Sequence, residues 1–291
     1  MKIATWNVNG IRARQGQALE WLARERPDVV CLQELKATPE QIQSALWEAE
    51  GYWTYWHGGK AYSGVAILVG RDLAAERPAF EHPDFDFEQR IVAAEVAGVT
   101  VASVYVPNGG KDFDAKVRFL EALDAWAAGF EKRGAPLVVC GDVNVARADI
   151  DVHPKERKAG AIGQRPDERA LLERILSRGL VDVVRTLHPD DDQLFTWWAP
   201  WRNLRQRNIG WRIDYVLAST PLAARATSGV SQREVGTSDH APVVVGFQQT
   251  SGLGLQAAGQ SREPKAQSQG LTRLPAASRQ PIPSSSHRAW P

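Results

Sequence analysis

The stretch Pro136-Leu137-Val138-Val139-Cys140-Gly141-Asp142-Val143-Asn144 indicates both the fold and the position of a site. Its first part is apolar and rich in β-branched residues, and the turn residues Arg133-Gly134-Ala135 precede it, which is typical of a buried strand. A strand that ends in Gly-Asp-x-Asn presents a carboxylate and a carboxamide on alternate residues, and therefore on one face of the sheet. Two polar groups directed at one place indicate a functional site.

The same pattern recurs elsewhere in the chain. Other short apolar runs are also adjacent to, or contain, polar residues of the types that act in catalysis. These runs are Lys2 to Trp6 before Asn7-Val8-Asn9-Gly10, Asp28 to Leu32 before Gln33-Glu34, Val99 to Val104 before Tyr105-Val106-Pro107-Asn108-Gly109, Ile213 to Leu217 with Asp214 inside it, and Val243 to Phe247 after Ser238-Asp239-His240. Stability alone does not require polar residues of this kind at so many strand ends. The recurrence therefore indicates an active site assembled from distant segments.

Strands outnumber helices in the predicted pattern. Strands are expected at residues 2–6, 28–32, 52–57, 64–69, 91–96, 99–105 and 136–140, near Arg212 and Ala241, and in strand-rich segments at 180–187 and 194–198. Helices are expected at residues 15–26, 40–50, 112–132 and 167–178, with a long surface loop at 146–166. Only Ala97-Gly98 separates two of the strands, which predicts an antiparallel hairpin.

Hairpins and helical crossovers together favour a four-layer α/β sandwich, in which two mixed β-sheets pack face to face and helices flank them. A single doubly wound sheet explains the pattern less well. No G-x-G-x-x-G or G-x-x-x-x-G-K-[ST] turn follows a strand, although nucleotide-binding sheets of that kind use such turns.

Composition divides the chain near residue 250. Residues 1–250 are expected to form the catalytic domain, and residues 251–291, rich in Ser, Gln, Pro and Arg, a disordered tail with too little apolar surface to fold. The net charge is +1, and the tail carries five of the 35 basic residues and one of the 34 acidic ones. The remaining 30 basic and 33 acidic residues give the first part a charge of −3. Overall charge therefore does not indicate nucleic-acid binding, and affinity for phosphate requires local clusters or a metal.

Cys31 and Cys140, the two cysteines, both fall in predicted buried strands and are interpreted as small apolar residues. Neither a disulfide framework nor a catalytic thiol is expected. The first residues match neither a signal peptide nor a membrane span. We therefore expect a cytoplasmic protein, monomeric and without a membrane partner.

The candidate residues carry hard oxygen donors, which favours Mg²⁺, with Mn²⁺ as a possible substitute, over structural zinc. Glu34, Asp239 and Asp142 are the candidate carboxylate ligands. Such a metal suits the cleavage of a phosphoester, because it offsets charge that grows on the leaving group. Asp142, next to Asn144, could orient and deprotonate the attacking water. His240 would donate to the non-bridging oxygens and Asp214 would fix its tautomer or keep it charged.

Taken in order, six segments resemble the exonuclease III family of Mg²⁺-dependent abasic-site endonucleases, within the endonuclease/exonuclease/phosphatase superfamily. They are Trp6-Asn7-Val8-Asn9-Gly10-Ile11-Arg12, Leu32-Gln33-Glu34-Leu35-Lys36, Tyr105-Val106-Pro107-Asn108-Gly109, Gly141-Asp142-Val143-Asn144-Val145-Ala146, Trp211-Arg212-Ile213-Asp214-Tyr215 and Ser238-Asp239-His240-Ala241-Pro242. The resemblance covers roughly residues 1–249. It implies the family's sandwich fold and cleavage of DNA.

The resemblance also implies roles for individual residues. Catalytic roles fall to Tyr105, Asp142, Asn144, Asp214 and His240, and the metal site to Asn7, Glu34, Asp142, Asn144, Asp239 and His240. Trp197, Trp211 and Ile213 match positions that wall an apolar pocket for the base-less sugar, which a nucleotide with its base would not fit. Contacts to the DNA backbone are expected from loop residues, namely Arg12, Lys36, Lys60, Tyr62, Arg90, Asn108 and Lys111.

The expected function is a Mg²⁺-dependent DNA repair nuclease that cleaves the phosphodiester bond 5′ to abasic sites in duplex DNA. The resemblance further implies 3′–5′ exodeoxyribonuclease activity and trimming of blocked 3′ ends. Two alternatives stay open on the residues alone. One is a related phosphoesterase that acts on a phosphoinositide or a sphingolipid, and the other is a non-catalytic DNA-binding relative.

Overall fold

The computed structural model describes residues 1–60 and 62–248, whose strands form two six-stranded sheets. The strands are numbered in chain order. The first sheet contains, from edge to edge, β11 (Ala226–Ser231), β12 (Val243–Phe247), β1 (Lys2–Asn7), β2 (Val29–Gln33), β4 (Val65–Gly70) and β3 (Tyr52–His57). The second contains β5 (Phe80–Glu81), β6 (Ile91–Val96), β7 (Val99–Tyr105), β8 (Leu137–Asp142), β10 (Asp214–Ser219) and β9 (Leu180–Asp182).

Both sheets are mixed, because each has one parallel pair near its centre. These pairs are β1 with β2 and β7 with β8, and the other neighbouring strands run antiparallel. The helices are α1 (Ile11–Glu25), α2 (Ser44–Ala49), α3 (Phe113–Arg133), α4 (Pro166–Leu176), α5 (Val183–Leu187) and α6 (Thr220–Ala223). Single 3₁₀ turns lie at Pro39–Gln41, Asp149–Asp151 and Pro154–Glu156.

The side chains of each central strand alternate between two apolar layers. In β8, Val138 and Cys140 point into the cluster between the two sheets, whereas Leu137 and Val139 pack in the cluster that contains residues of α3 and α4. A third cluster joins the opposite face of the first sheet to α1 and α2. This arrangement confirms the four-layer α/β sandwich, and it explains why the strands read as continuous apolar runs: both of their faces are buried.

Local expectations at two positions are also confirmed. Ala97 and Gly98 have φ values of 51° and 75° and join β6 to β7 as a two-residue hairpin turn. Cys31 and Cys140 are free, buried and part of the cluster between the sheets, and burial raises the pKa of the Cys140 thiol. Both therefore act as small apolar residues.

Several element boundaries differ from the predictions. The first helix begins at Ile11, directly after the left-handed Gly10, and not at Gln15. The strand-rich segment predicted at 180–187 is a three-residue strand followed by α5, because the Asp182 carboxylate accepts a hydrogen bond from Arg185 N and caps a helix there. The segment predicted at 194–198 forms only isolated bridges at Trp197. The helix predicted at 40–50 is shortened to a 3₁₀ turn and α2.

Two short or polar strands were not predicted at all. β5 has only two residues, and β11, with the sequence Ala-Thr-Ser-Gly-Val-Ser, lacks an apolar run because it is an edge strand with exposed side chains. The tail expected at 251–291 and the domain boundary at 250 lie outside the described residues. Within residues 1–60 and 62–248, no helix combines the length and the hydrophobicity needed to cross a bilayer.

Candidate active site

The polar strand ends of both sheets meet at one edge of the sandwich. Tyr105 and Asp142 end the parallel strands β7 and β8 and lie opposite each other in register. Asp142 is in turn paired with Asp214, the first residue of the antiparallel strand β10. Asn7 ends β1 in the other sheet and His240 lies just before β12, so the site lies where the two sheets face each other.

Asp142, Asp214 and His240 form a buried cluster at this edge. His240 Nδ1 lies 2.9 Å from Asp214 Oδ2, and His240 Nε2 lies 3.8 Å from Asp142 Oδ2. One potential ligand atom from each residue lies within 4.8 Å of the others. The imidazole therefore stands between two carboxylates, an arrangement that can hold a proton or a cation.

Two asparagines donate hydrogen bonds to the Asp142 carboxylate. Asn7 Nδ2 donates to Oδ2 at 2.9 Å across the interface between the sheets, and Asn144 N donates to Oδ1 at 2.9 Å. Asn144 was expected in the same strand as Asp142, but β8 ends at Asp142 and Asn144 has a left-handed φ of 55°. Its side chain consequently turns back, donates to Val106 O at 2.9 Å and accepts from Asn108 Nδ2 at 3.2 Å.

Glu34 and Asp239 lie beside this cluster in a second polar group. Lys36 Nζ contacts Glu34 Oε1 at 2.8 Å and Asn9 Oδ1 at 2.7 Å. Asn9 Nδ2 then donates to Asp239 Oδ1 at 2.7 Å, and Trp197 Nε1 donates to the other oxygen of Asp239 at 3.0 Å. Asn9 stood in the first motif, yet the sequence alone assigned it no role.

Burial and neighbouring charges shift the pKa values of the central groups. Burial raises the pKa of Asp142 to about 7, and the nearby Asp214 carboxylate adds to the rise, while His240 and the Asn7 hydrogen bond oppose it. Burial alone would lower the pKa of His240, but the Asp214 and Asp142 carboxylates outweigh it and raise this pKa to about 10. His240 is therefore a hydrogen-bond donor at both ring nitrogens near neutral pH.

Tyr105 lies between this carboxylate cluster and a buried arginine. Burial raises the pKa of the Tyr105 hydroxyl, and the Glu34 and Asp142 carboxylates raise it further, so the hydroxyl stays protonated. Arg90 Cζ lies 4.8 Å from the centre of the Tyr105 ring, and Arg90 Nη2 donates to the Tyr62 hydroxyl at 2.8 Å. Arg90 was expected among the loop residues that contact the DNA backbone, but these contacts and Glu88 leave it only 2% exposed.

Trp197, Trp211 and Ile213 are brought together as expected, in a small apolar cluster with Ala146 and Val152. The two indole rings meet edge to face with centroids 5.5 Å apart, and Trp197 also lies beside the His240 ring at 6.4 Å. The cluster therefore adjoins the polar centre directly. The other predicted DNA contacts differ in exposure: Tyr62 is 51% exposed, Arg12, Lys60, Asn108 and Lys111 are also exposed, and Lys36 is half-buried.

Several supporting residues escaped sequence reasoning. Thr196 Oγ1 accepts from Ile213 N and Asp214 N at 3.0 and 3.1 Å, and Ser238 Oγ donates to Asn7 O at 2.7 Å. Arg212 is buried and paired with Asp151 and Asp182, next to Trp211 and Ile213. The local sequence does not distinguish such buried polar residues from polar residues on the surface. Only Arg212 and Ser238 lie inside the motifs.

A buried ion pair lies behind Asn144. Lys116 Nζ contacts the Glu168 carboxylate and donates to Asn144 O at 2.8 Å and to Asn108 O at 3.2 Å. Glu168 Oε2 accepts from Gly163 N at 2.7 Å. Gly163 has a φ of +86°, and a Cβ there would lie 2.9 Å from the Trp211 ring. The pair therefore holds both the Asn144 turn and the chain that passes over Trp211.

Comparison with known proteins gives a consistent result. Residues 4–240 match the model of the endonuclease/exonuclease/phosphatase family. The chain is 35% identical to an exodeoxyribonuclease of Bacillus subtilis (strain 168) over 84% of this chain and 98% of that protein. It is 34% identical to the DNA repair nuclease APEX1 of Danio rerio, over 84% of this chain and 81% of that protein. The structure of an AP endonuclease from Archaeoglobus fulgidus matches 86% of this chain and all of its own chain, with a TM-score of 0.78 and 32% identity.

Proposed function

Because this chain belongs to the endonuclease/exonuclease/phosphatase family and is a nuclease of the DNA-repair type, we propose that it cleaves duplex DNA 5′ to abasic sites. We further propose that it removes nucleotides or blocking groups from 3′ ends, in line with its similarity to an exodeoxyribonuclease. A monomer in the cytoplasm remains a prediction from the sequence.

The observation that carries this proposal is the buried Asp142–Asp214–His240 cluster at the joint edge of two sheets. Hydrolysis of a phosphodiester needs a group that accepts a proton from water and a donor that stabilises charge on the phosphoryl oxygens. Asp142, with a pKa near 7, is suited to accept that proton, and Asn144 beside it would orient the water. His240, kept protonated by Asp214, would donate to a non-bridging oxygen.

The donor set at the site suits Mg²⁺. Carboxylates of Glu34, Asp142 and Asp239 and carboxamides of Asn7 and Asn144 lie in the site or beside it, and both cysteines are buried elsewhere, between the sheets. We propose that Glu34, Asp239 and Asn7 hold the ion with help from Asp142 and Asn144, and that Mn²⁺ can replace it. His240, expected from the sequence among the metal residues, is protonated at both ring nitrogens and has no lone pair for the ion, so we assign it the donor role alone. When bound, the ion would offset charge on the phosphate and the leaving oxygen.

We assign the leaving-group side of the reaction to Tyr105. Its hydroxyl keeps its proton because burial and two carboxylates raise its pKa, so it can act as a hydrogen-bond donor to the phosphate or the departing oxygen. Arg90 packs against the Tyr105 ring and donates to Tyr105 O at 3.2 Å, which fixes the tyrosine in place. Through Tyr62, Arg90 also supports an exposed side chain that we expect to contact the DNA backbone.

Selection of the abasic sugar is assigned to the apolar cluster beside His240. Trp197, Trp211 and Ile213 offer a small hydrophobic surface that suits a flipped sugar without a base, and flipping is easiest where no base stacks. Contacts from Arg12, Lys36, Lys60, Tyr62, Asn108 and Lys111 would hold the DNA backbone without reading its sequence. Such contacts make binding weaker at high salt.

The proposal is tested with a duplex oligonucleotide that carries a tetrahydrofuran abasic analogue, incubated with Mg²⁺ or with EDTA. We expect a single nick 5′ to the analogue that requires Mg²⁺, is lost in Asp142→Ala, and is unchanged in the control Asp190→Ala, which alters an exposed aspartate. Parallel reactions contain a phosphoinositide and a sphingomyelin. Turnover of a lipid with an intact duplex would overturn the DNA substrate, and retention of the duplex without any turnover would support a binding protein.

A further inference from the structure

A second cluster of metal-ligating side chains lies where the edge strands of the two sheets meet, and none of its residues belongs to the site above. His57 ends β3, the edge of the first sheet, and His82 follows β5, the edge of the second. The two edges are in contact, because the Tyr55 and Phe80 rings stack with centroids 4.8 Å apart and Arg77 Nη2 donates to Thr54 O at 2.8 Å.

Three side chains converge at this junction. His57 Nε2 lies 2.6 Å from Asp86 Oδ2, the centroids of the two imidazole rings are 3.8 Å apart, and one ligand atom from each of His57, His82 and Asp86 lies within 4.8 Å of the others. We propose that His57, His82 and Asp86 form a site for a divalent transition-metal ion of the Zn²⁺ class. Two imidazoles and one carboxylate form a donor set that such ions favour, whereas Mg²⁺ prefers oxygen alone.

Hydrogen bonds behind the cluster already orient its donor atoms. Asp86 Oδ1 accepts from Arg90 N at 2.8 Å and from Ile91 N at 3.1 Å, which leaves Oδ2 directed at His57. His82 Nδ1 faces Ile91 O at 3.3 Å, so with a proton on this nitrogen the lone pair of Nε2 can accept from the Tyr55 hydroxyl or bind an ion in its place. Metal-binding histidines commonly donate their second N–H to a backbone carbonyl in this way.

The remaining contacts show what the ion would replace. His57 Nε2 and Asp86 Oδ2 share one proton at 2.6 Å, and a divalent ion would take its place while the proton leaves to solvent. The Tyr55 hydroxyl lies 2.7 Å from His82 Nε2, and this hydroxyl or a water molecule would complete a fourth position. The His57 and Asp86 side chains are 21% and 12% exposed, and His82 is exposed, so an ion can enter from solvent.

An ion at this site would stabilise the segment that holds Arg90 against the catalytic edge. Asp86 binds the backbone of Arg90, and the Arg90 guanidinium packs on Tyr105 and Tyr62. An ion bound by His57 of β3, by His82 after β5 and by Asp86 would link both sheets to the segment that carries Asp86 and Arg90. Since a ligand that binds only the folded state stabilises it, the melting temperature should rise with Zn²⁺ concentration.

The test measures binding of Zn²⁺ by calorimetry to the full chain with excess Mg²⁺ present. The substitutions Asp142→Asn and His240→Gln are included throughout to remove uptake at the Asp142–Asp214–His240 cluster, and the excess Mg²⁺ occupies the Glu34 and Asp239 oxygens. We expect one Zn²⁺ per chain, at least tenfold weaker binding after either His57→Gln or His82→Gln, and loss of binding after both. The matched control is His153→Gln, which removes a histidine of another loop and should leave binding unchanged.

A second readout reports on the ligand atoms and needs no further substitution at the proposed site. Co²⁺ added to the same background protein should give the visible absorption of a nitrogen-ligated ion, and equimolar Zn²⁺ should abolish it. No uptake of either ion, or equal uptake after both histidines are replaced, would overturn the proposal and leave His57, His82 and Asp86 as a hydrogen-bonded junction only. Failure here would leave the proposed nuclease activity untouched, because that activity is measured separately with Mg²⁺.

Discussion

Individual side chains at the catalytic edge are defined by their partners more than by their type. Asp142 and Asp214 are both aspartates at strand ends, and both lie within reach of His240. Asp214 meets the imidazole directly at Nδ1, while Asp142 is held by the amides of Asn7 and Asn144 and has its pKa raised to about 7. Their different surroundings therefore make Asp214 the charge partner of the histidine and Asp142 the candidate proton acceptor.

The role of Asp214 is tested with Asp214→Asn. Because the Asp214 carboxylate is the largest influence that keeps His240 protonated, the variant should lower the pKa of His240 and reduce kcat by roughly 100-fold or more, as loss of a histidine's carboxylate partner does elsewhere. Single-turnover nicking measured across pH checks this. As pH rises, the variant should lose its activity at a lower pH than wild type does, because its His240 gives up its proton earlier. A rate within twofold of Asp190→Asn at every pH would show that the pair is structural only.

Ionisation of the buried Asp142 carboxylate is expected to lower the stability of the folded protein. Its folded-state pKa of about 7 exceeds the ordinary value of 3.8, so the folded protein binds this proton more tightly and loses stability as pH rises through that interval. Asp142→Asn cannot ionise. In EDTA, the melting temperature of the variant minus that of wild type should therefore be larger at about pH 8 than at about pH 5. A difference that stays constant with pH would contradict the shifted pKa.

At the scale of elements, β7 and β8 approach so closely that one position admits only glycine. Gly141 has a φ of +149°, and a Cβ there would lie 1.9 Å from Val104 O on the neighbouring strand. Glycine also allows the chain to present Asp142 at the end of β8. The motif residue before the catalytic aspartate thus has a backbone role.

Gly141→Ala is accordingly expected to lower the free energy of unfolding by about 3 kcal/mol or more, through steric overlap and backbone strain. Gly16→Ala is the matched substitution, because Gly16 lies in α1 with no atom within 4 Å of an added Cβ. That change should stabilise by about 0.5–1 kcal/mol. Urea denaturation monitored by circular dichroism distinguishes the two, and similar midpoints for both variants would refute the packing argument.

The ion pair between α3 and α4 links helix packing to the site. Lys116 and Glu168 have fully buried side chains, and together they bind the backbone of Asn108, Asn144 and Gly163. Burial lowers the pKa of Lys116, and the Glu168 carboxylate counters it. Such a pair stabilises little in total, but one partner without the other is costly.

Lys116→Met should therefore destabilise the protein by about 3–5 kcal/mol, and the double variant Lys116→Met/Glu168→Gln by clearly less, since the stranded charge is removed. Nicking should remain impaired in the double variant, because the Lys116 hydrogen bond to Asn144 O is still missing. Chemical denaturation and the nicking assay on both proteins check this. Equal stability of the single and double variants would show that the charge of Glu168 is not the cause.

On the scale of the whole molecule, a polar bridge joins the two sheets near the site. Gln33 Nε2 donates to Ser103 Oγ at 3.1 Å across the interface, and Thr5 Oγ1 donates to Gln33 Oε1 at 3.2 Å. Most of the interface is aliphatic, so these directional bonds fix how the two sheets are aligned there. That alignment matters because Asn7 and the segment of His240 that leads into β12 come from one sheet, and Asp142 and Asp214 belong to the other.

The fold should not require the residues after 249. The two six-stranded sheets, their helices and the site residues lie within residues 1–60 and 62–248, and the family match ends at residue 240. A chain that ends at Gln249 is expected to melt within about 2 °C of the full chain and to nick the abasic duplex at the same rate. Scanning calorimetry and the nicking assay test this. A large loss of either property would show that the C-terminal residues contribute to the domain.

The sequence alone predicted the features that depend on local pattern. Apolar runs such as 136–140 predicted strands buried on both faces, Ala97-Gly98 predicted its hairpin, and polar residues at strand ends marked where a site should form. It could not predict β11, because an exposed edge strand has no apolar run, or the helix at Val183–Leu187, because a single capping aspartate decides it.

Only the tertiary structure decided which of these strand ends meet and what each group experiences there. Asn7 and Asp142 are 135 positions apart and yet share a hydrogen bond, and Arg90, expected to contact the DNA backbone, is buried against Tyr105. The Lys116–Glu168 pair and the His57–His82–Asp86 cluster likewise join segments that no local pattern connects. The physical reason is that periodicity records which face of an element is buried, whereas burial depth, charge neighbours and pKa arise from contacts between elements.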